Sequence, residues 1–345
     1  AMATGESLLD GYYKVGKISL VTYFILNVAT MFTIQTAVTI VTAGLASSLF
    51  GLTDNMVVWS LIITIGCYLI LLFGKYQLLD KMIKIIILIL AVSTVFSTGV
   101  ASFNSSEILN LKQVFPTGTG LVFLVAFMGW MPAPLDISIW HSIWAIEKNK
   151  NENISKKESL FDFNVGYIFT VILGICFVSL GALVMYNSGV SFSNIGSVFA
   201  GQLIELYTSN LGDSFYLIIS ICAFTTMLST TITCLDASPR TMSRATQLLT
   251  NNNNKDYYFH WISILSIGTM LIFYYLLSEM GALVELATIL SFVTAPFYAI
   301  LNYKLVVSNN MPESLKPSKS MRILSIAGIL FLSIFALGYI LTSFI

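Results

Sequence analysis

Pro132, Pro134, Asp136 and His141 stand close together in the middle of one apolar segment, residues 119–148. The segment reads TGLVFLVAFMGWM, then Pro132-Ala133-Pro134, then LDISIWHSIWAIEK. Together its two arms are long enough to cross a bilayer. The prolines remove two backbone donors and stiffen the chain where lipid would be deepest. Backbone groups freed at that depth cannot face hydrocarbon, so they line a cavity and bind something. Asp136 adds roughly 2.5–3.5 kcal/mol of insertion cost on translocon scales. A broken span with ionisable groups points to the substrate site of a secondary transporter. The competing reading is a proline kink in which Asp136 bonds the first turn of the second arm.

A second set of polar residues lies in the span at 213–238. Thr226, Ser229, Thr233, Asp236 and Arg240 recur at steps of three and four, which places them on one helical stripe. Asp236 and Arg240 are spaced to pair. The stripe reads either as one wall of a hydrophilic path or as hydrogen bonding between helices. The first span, 18–50, is unusually long and rich in threonine, with Gln35 near its centre. Most of those threonines read as interhelical glue.

The elements that position these residues are membrane helices. The chain has 345 residues, of which 56% are hydrophobic and 10% charged. That composition excludes a soluble globular domain and a nucleic-acid-binding protein. Nine apolar spans follow at about 18–50, 56–74, 79–102, 119–148, 161–187, 213–238, 260–278, 280–306 and 321–345. With a cytoplasmic start, 16 of the 17 basic residues fall inside, and Lys112 is the exception. This one-sidedness sets an inside N-terminal end and an outside C-terminus. The expectation is an integral protein of the cell membrane. Asp54, Glu107, Glu205, Asp213 and Glu279 give the outer mouth a mildly anionic character, or are ordinary solvated loop charge. The run VFAGQLIELYTS in 190–212 reads as a surface helix, and Asn251–Asn254 as a mobile tract. Trp59, Trp144 and Trp261 fall near interfaces, as anchors do. The four cysteines sit in apolar spans with no CxxC spacing and read as free core thiols.

Together, Ala3-Thr4-Gly5, LFG at 49–51, Met131-Pro132, STTITCLDA at 229–237 and LATILSFVTAPF at 286–297 resemble the Nramp family of divalent-metal transporters. The similarity covers essentially the whole chain and is that of a divergent branch, with departures shared by the magnesium transporters related to the family. It implies an all-α, five-plus-five inverted-repeat fold of the LeuT/APC type. Residues 1–118 would be the last three helices of the first repeat, 119–306 the second repeat, and 307–345 an inner loop and an extra helix. Two helices would be missing upstream of Ala1. One is the broken helix that in the family carries Asp-Pro-Gly-Asn and two metal ligands.

The resemblance also implies a metal site. In one register Met131 supplies its sulfur and Met128 a backbone carbonyl. In the other, Ala133-Pro134 stands in place of Met-Pro and the sulfur is lost. The family's histidine after Met-Pro is Ala133 here, and His141 is off the spacing of the later one. A glutamine of the tenth helix is Thr288. The two carboxylates of the family's proton route fall on Gln35 and Val38, which puts proton coupling in doubt. Thioether sulfur suits Mn- or Fe-like ions, whereas an all-oxygen site suits Mg. Asp136 would join as an outer partner or cap its helix.

The function expected is transport of divalent cations by alternating access, with the metal as substrate, no cofactor, and protons as a candidate coupling ion. The site set is Met131, Met128, Ala133, Asp136 and Thr288. The path set is Thr226, Ser229, Thr233, Asp236, His141 and Gln35. The alternative is a carrier of amino acids or other organic solutes, with the helix end after Pro134 holding a carboxylate. Asp136 argues against an anion there. An enzyme is not expected, because no HExxH and no nucleophile–base pairing occurs. A channel fits the broken helix less well.

Overall fold

The computed structural model describes residues 1–73, 76–104, 115–131, 134–152, 155–186, 193, 196–276 and 280–343. These residues form twelve α-helices: α1 Leu8–Val15, α2 Lys17–Phe50, α3 Met56–Leu72, α4 Tyr76–Asn104, α5 Thr119–Trp130, α6 Ile137–Glu152, α7 Lys156–Leu180, α8 Gly196–Leu211, α9 Tyr216–Thr250, α10 Tyr258–Leu276, α11 Met280–Val307 and α12 Lys319–Ser343. All nine expected spans are occupied by helix. Six are long and apolar enough to cross a membrane alone, and three shorter apolar helices lie at Met56–Leu72, Ile87–Phe103 and Gly120–Trp130. The segment 119–148 divides into a 12-residue arm and a 16-residue arm, α5 and α6.

Local chemistry sets the ends. Ser7 caps α1 and Asp10 bonds back to it. Ser155 and Glu158 do the same for α7, and Asn55 caps α3. The long α2 stops at Gly51, whose φ of 60° is free of strain only for glycine. α9 runs to Thr250, beyond the expected end at 238. The buried Pro239 is taken into the helix without ending it, so Arg240 and Arg244 are helical.

α2 and α9 cross through the middle of the bundle. Met31, Ala43, Ala46, Ile232, Leu235 and Met242 share one core with α3 and α10. The polar seam between them is closed: Thr42 and Thr231 hydroxyls lie 2.8 Å apart. Gln35 Nε2 donates to the Thr39 hydroxyl at 3.2 Å and to the Thr231 carbonyl at 3.3 Å. Most hydroxyls of the threonine-rich span bond back to their own helix, Thr30 to Leu26 O, Thr33 to Thr30 O, Thr36 to Phe32 O and Thr39 to Gln35 O. Of these threonines Thr42 alone also reaches α9, so the expected glue between helices is largely replaced by bonding within α2. α7 and α12 are the opposite case, with side chains mostly exposed around the helix, as lipid-facing helices are. α8 is a helix as expected, but it packs inward through Ala200, Ile204, Leu206 and Tyr207 rather than lying on the surface. The asparagine tract is tied down. Asn251 Oδ1 accepts from the Tyr13 hydroxyl at 3.1 Å, and Asn253 Oδ1 accepts from Arg244 at 3.2 Å. The three tryptophans expected as anchors all donate inside the protein, to Thr53 O, Asp236 Oδ2 and Thr246 Oγ1.

Candidate functional site at the broken helix

α5 ends at Trp130, and the amide of Met131 makes the last helical bond, to Phe127 O at 3.0 Å. In a continuing helix the carbonyls of Met128 and Trp130 would accept from residues 132 and 134. Both are prolines and carry no N–H. Those two carbonyls are therefore left without helical donors by covalent chemistry alone. Pro132 and the candidate ligand Ala133 lie outside the described residues.

α11 closes this end of α5. A Cβ on Gly129 would sit 2.0 Å from the Thr288 carbonyl oxygen, so the two backbones touch. Only glycine permits that approach. Trp130 Nε1 donates to Ser291 Oγ at 3.0 Å and fixes the rotation of α5 on α11. The Thr288 hydroxyl is spent on its own helix, at 3.0 Å to Val284 O and 2.8 Å to Glu285 O. What Thr288 brings to the break is its place on the backbone. The Met128 side chain packs with Val125, Phe292 and Ala336.

The thioether of Met131 points away from this centre. Its Cε fills the notch at Gly174 on α7, where a Cβ would meet it at 2.4 Å. Around it lies an apolar crevice of about 300 Å³ lined by Phe127, Val171, Ile175 and Val178. On the inner side of the break the walls are apolar too: Ile34, Ala37 and Val38 from α2, Trp140 from α6, Cys234 and Ala237 from α9, and Ala287 from α11. Among the described residues no group of three or more His, Cys, Asp or Glu is placed to hold a metal ion.

The path residues divide. Thr226, Ser229 and Thr233 are partly exposed, but so is Leu228 between them, and the Thr226 hydroxyl is itself buried without a hydrogen-bond partner; Leu235 is fully buried. Lower on the same stripe, Asp236 is sealed. Arg240 Nε donates to its Oδ2 at 2.7 Å, Trp144 Nε1 donates to the same oxygen at 3.3 Å, and the Tyr258 hydroxyl donates to Oδ1 at 2.8 Å. Arg240 also lies 4.9 Å from the Tyr258 ring centre. The Asp236–Arg240 pair was legible from its spacing, but Tyr258 was not, because it arrives from another helix. Trp144 carried only an interfacial signal. Gln35 keeps a buried, unpartnered Oε1 beside this seam. His141 lies apart. It is exposed on α6, edge-on to Trp144 and Phe163 at 6.3 and 6.2 Å.

Asp136 is 5% exposed and its Oδ1 has no hydrogen-bond partner. It sits at the start of α6, facing the amides of Asp136 and Ile137. The titratable side chains within its electrostatic reach include Tyr12, Tyr23, Tyr298 and Cys234.

A family profile described as natural resistance-associated macrophage protein-like matches residues 1–342. An uncharacterized protein of Pasteurella multocida is 32% identical over 348 residues, covering 98% of this chain and 78% of that one. Two variants of a manganese transporter of Eremococcus coleocola superpose with TM-scores of 0.70 and 0.71 at 12% and 13% identity. They cover 97% and 98% of this chain and 74% and 75% of theirs. At that identity the likeness establishes the fold, a LeuT-like helical transporter bundle. With its apolar helices and a profile match over nearly its whole length, this chain is an integral membrane protein and belongs to the Nramp family.

Proposed function

We propose that this chain moves a hard divalent cation through a site of main-chain oxygens at the end of α5, by alternating access. Divalent-metal transport is the function its family carries, and the organic-solute alternative is not favoured. The observation behind the finer reading is the pair of carbonyls, Met128 and Trp130, that Pro132 and Pro134 leave without donors. They lie where the Gly129 backbone meets Thr288. Met131 turned toward Gly174 supports the register without sulfur, so the donor set is oxygen and favours Mg-like over Mn-like ions. Residues 119–306 act as one repeat around this site, with the N-terminal end cytoplasmic. Thr226, Ser229 and Thr233 line the way inward, and the closed cluster at Asp236 is the inner gate.

The test is competitive uptake by cells expressing the protein. Unlabelled Mg should suppress uptake of radioactive Mn, and alanine should not. Pro132→Ala restores the amide that would reoccupy the Met128 carbonyl. It should lower uptake on the order of tenfold, the scale of a lost ligand partner. Wild-type uptake in Pro132→Ala would remove the carbonyls from the site, and uptake of an amino acid in place of metal would overturn the function.

A further inference from the structure

We propose that Asp136, Tyr23 and Tyr298 form a binding site for one monovalent cation of sodium size, on the α6 side of the break and separate from the metal path. Three buried oxygens carry the inference. Asp136 Oδ1, the Tyr23 hydroxyl and the Tyr298 hydroxyl all lack a hydrogen-bond partner, at 5%, 0% and 1% residue exposure. Buried polar atoms are almost always satisfied, and one orphan costs about 1–3 kcal/mol. Three such oxygens from α2, α6 and α11 in one neighbourhood form a ligand set rather than three separate accidents.

Their neighbourhood is one cluster. Tyr12 and Tyr23 stack edge to face at 6.2 Å between ring centres, and Tyr23 and Tyr298 at 6.3 Å. Asp136 is within electrostatic reach of all three. The frame around them is rigid. The Tyr12 hydroxyl donates to Asn302 Oδ1 at 2.8 Å, and Asn302 Nδ2 donates to Ser138 Oγ at 2.9 Å. The amide of Leu8 donates to Ser142 Oγ at 3.1 Å. α1, α6 and α11 are thereby held together around the Tyr23 and Tyr298 rings. Thr241 lies beside the Tyr23 hydroxyl, but its own hydroxyl is directed to Ser238 O at 2.8 Å and makes no well-formed bond to the phenol.

Charge selects the occupant. A buried carboxylate beside the Tyr12, Tyr23 and Tyr298 rings, which pack with Leu9, Leu20, Ile139 and Leu301, needs a compensating positive charge. The nearby arginines are committed: Arg240 to Asp236 and Arg244 to Asp10. The remaining titratable neighbours are Tyr12, Tyr23 and Tyr298, with Cys234 from α9, all neutral in their ordinary forms. One carboxylate and one monovalent ion sum to zero, whereas a divalent ion would leave a net positive charge in an apolar box. A proton is the other neutral solution. It would leave the two phenol oxygens as they are, because none of the three oxygens is hydrogen-bonded to another. A cation coordinated by all three would satisfy them together. Amides at the start of α6 facing the carboxylate also suit an anion with a bound ion.

The experiment is thermal unfolding of the purified chain in lipid nanodiscs at pH 7.5, with NaCl exchanged against choline chloride at constant ionic strength. Wild type should show a saturable rise in Tm with sodium. Asp136→Asn should abolish it, and Tyr23→Phe or Tyr298→Phe should raise the half-saturating sodium concentration on the order of tenfold. The two phenol variants remove one atom each and remain informative if Asp136→Asn does not fold. An equal sodium response in all four proteins, or none in wild type, overturns the site. Saturation by MgCl2 or MnCl2 but not NaCl makes it a divalent site. A difference between wild type and Asp136→Asn that follows pH and ignores sodium makes the occupant a proton. None of these readouts depends on metal uptake, so the site and the transport reading fail separately.

Discussion

Asp136 and Asp236 are buried to nearly the same degree, 5% and 7% exposed, on facing helices of one bundle. Their surroundings differ in kind. Asp236 has an arginine, a tyrosine hydroxyl and an indole N–H aimed at its two oxygens. Asp136 has an oxygen with no donor at all. A satisfied buried carboxylate holds helices together, while an unsatisfied one has been left available for something else. The same contrast separates the base of α9 from the broken helix. The base of α9, with Asp236 and the Asp10–Arg244 pair, is fully bonded. The break between α5 and α6 leaves two carbonyls without helical donors and one carboxylate oxygen without a partner.

The largest effect should come from the bonded region. Asp236→Ala strands Arg240, Tyr258 and Trp144 together. Breaking a buried pair costs about 3–5 kcal/mol, and the lower end applies because the Arg240 side chain is 41% exposed. Asp136→Asn, measured without sodium, should be neutral or stabilising, since it replaces an uncompensated charge with an amide. Equilibrium unfolding of both in one lipid system decides this. Equal destabilisation would erase the distinction between the two aspartates.

Gly129→Ala tests the other region through packing. The added methyl would meet a main-chain carbonyl, that of Thr288, which has no rotamer to move into. Overpacking of that kind costs about 2 kcal/mol. Metal uptake should fall further than stability does, because the α5 end must shift away from α11. Normal uptake in a destabilised Gly129→Ala would show that the site does not need this contact.

How much of this was legible in the chain depended on whether the signal was local. The break was visible because two prolines speak for themselves. The pairing of Asp236 with Arg240 was visible because it is one helical turn. The threonines of α2 were expected as glue between helices, but Thr30, Thr33, Thr36 and Thr39 bond back within α2 and Thr42 alone reaches α9, because a threonine hydroxyl finds its own helix's carbonyls without any neighbour. Tyr258 and Trp144 were not visible as partners of Asp236, since tertiary packing alone brings three helices to one carboxylate. The direction of Met131 was hidden for the same reason: a glycine on α7 opens the notch that takes it. Tyr12, Tyr23 and Tyr298 share no spacing that links them. α1 was not among the expected elements, although Ser7 and Asp10 stand at capping-box positions with Asp in place of the usual Glu. The Ala133 expectation and the loop residues Glu107, Lys112 and Glu279 fall outside the described residues.

A smaller effect should appear in acid. Burial pushes the Asp10 carboxyl up. Hydrogen bonds from Arg244 and Ser7, with the Arg244 charge, outweigh it and hold Asp10 below its usual 3.8. A lowered carboxyl contributes stability in full above the unfolded value, near pH 4, and loses it as pH falls through the folded value. The loss should be about 1.5 kcal/mol, the low end for a charged hydrogen bond, since the Arg244 side chain is 31% exposed. Unfolding measured from pH 6 to pH 3 should show this step in wild type and not in Asp10→Asn. A step of equal size in Asp10→Asn would assign it to another carboxylate and loosen α1 from the bonded region.

The smallest expected effect is also the one that fixes which atoms form the open region. Met131 stands immediately before Pro132, where the family resemblance would put a sulfur ligand, yet its methyl lies in the Gly174 notch. If that placement holds during transport, the sulfur never meets the metal. Met131→Ala then removes packing against α7 and leaves the donor set unchanged. The ratio of Mn to Mg uptake should stay within about twofold of wild type, far short of the tenfold or greater loss that follows removal of a ligand or its partner. Gly174→Ala supplies the reverse experiment. Its methyl would push Met131 out of the notch, and the flexible thioether would yield rather than the backbone. If the displaced sulfur swings toward the Met128 and Trp130 carbonyls, preference should shift toward Mn, the softer ion. A strong loss of Mn uptake in Met131→Ala would instead return the sulfur to the site. The open region would then be a mixed sulfur–oxygen centre, and the oxygen-only account of the break would fail.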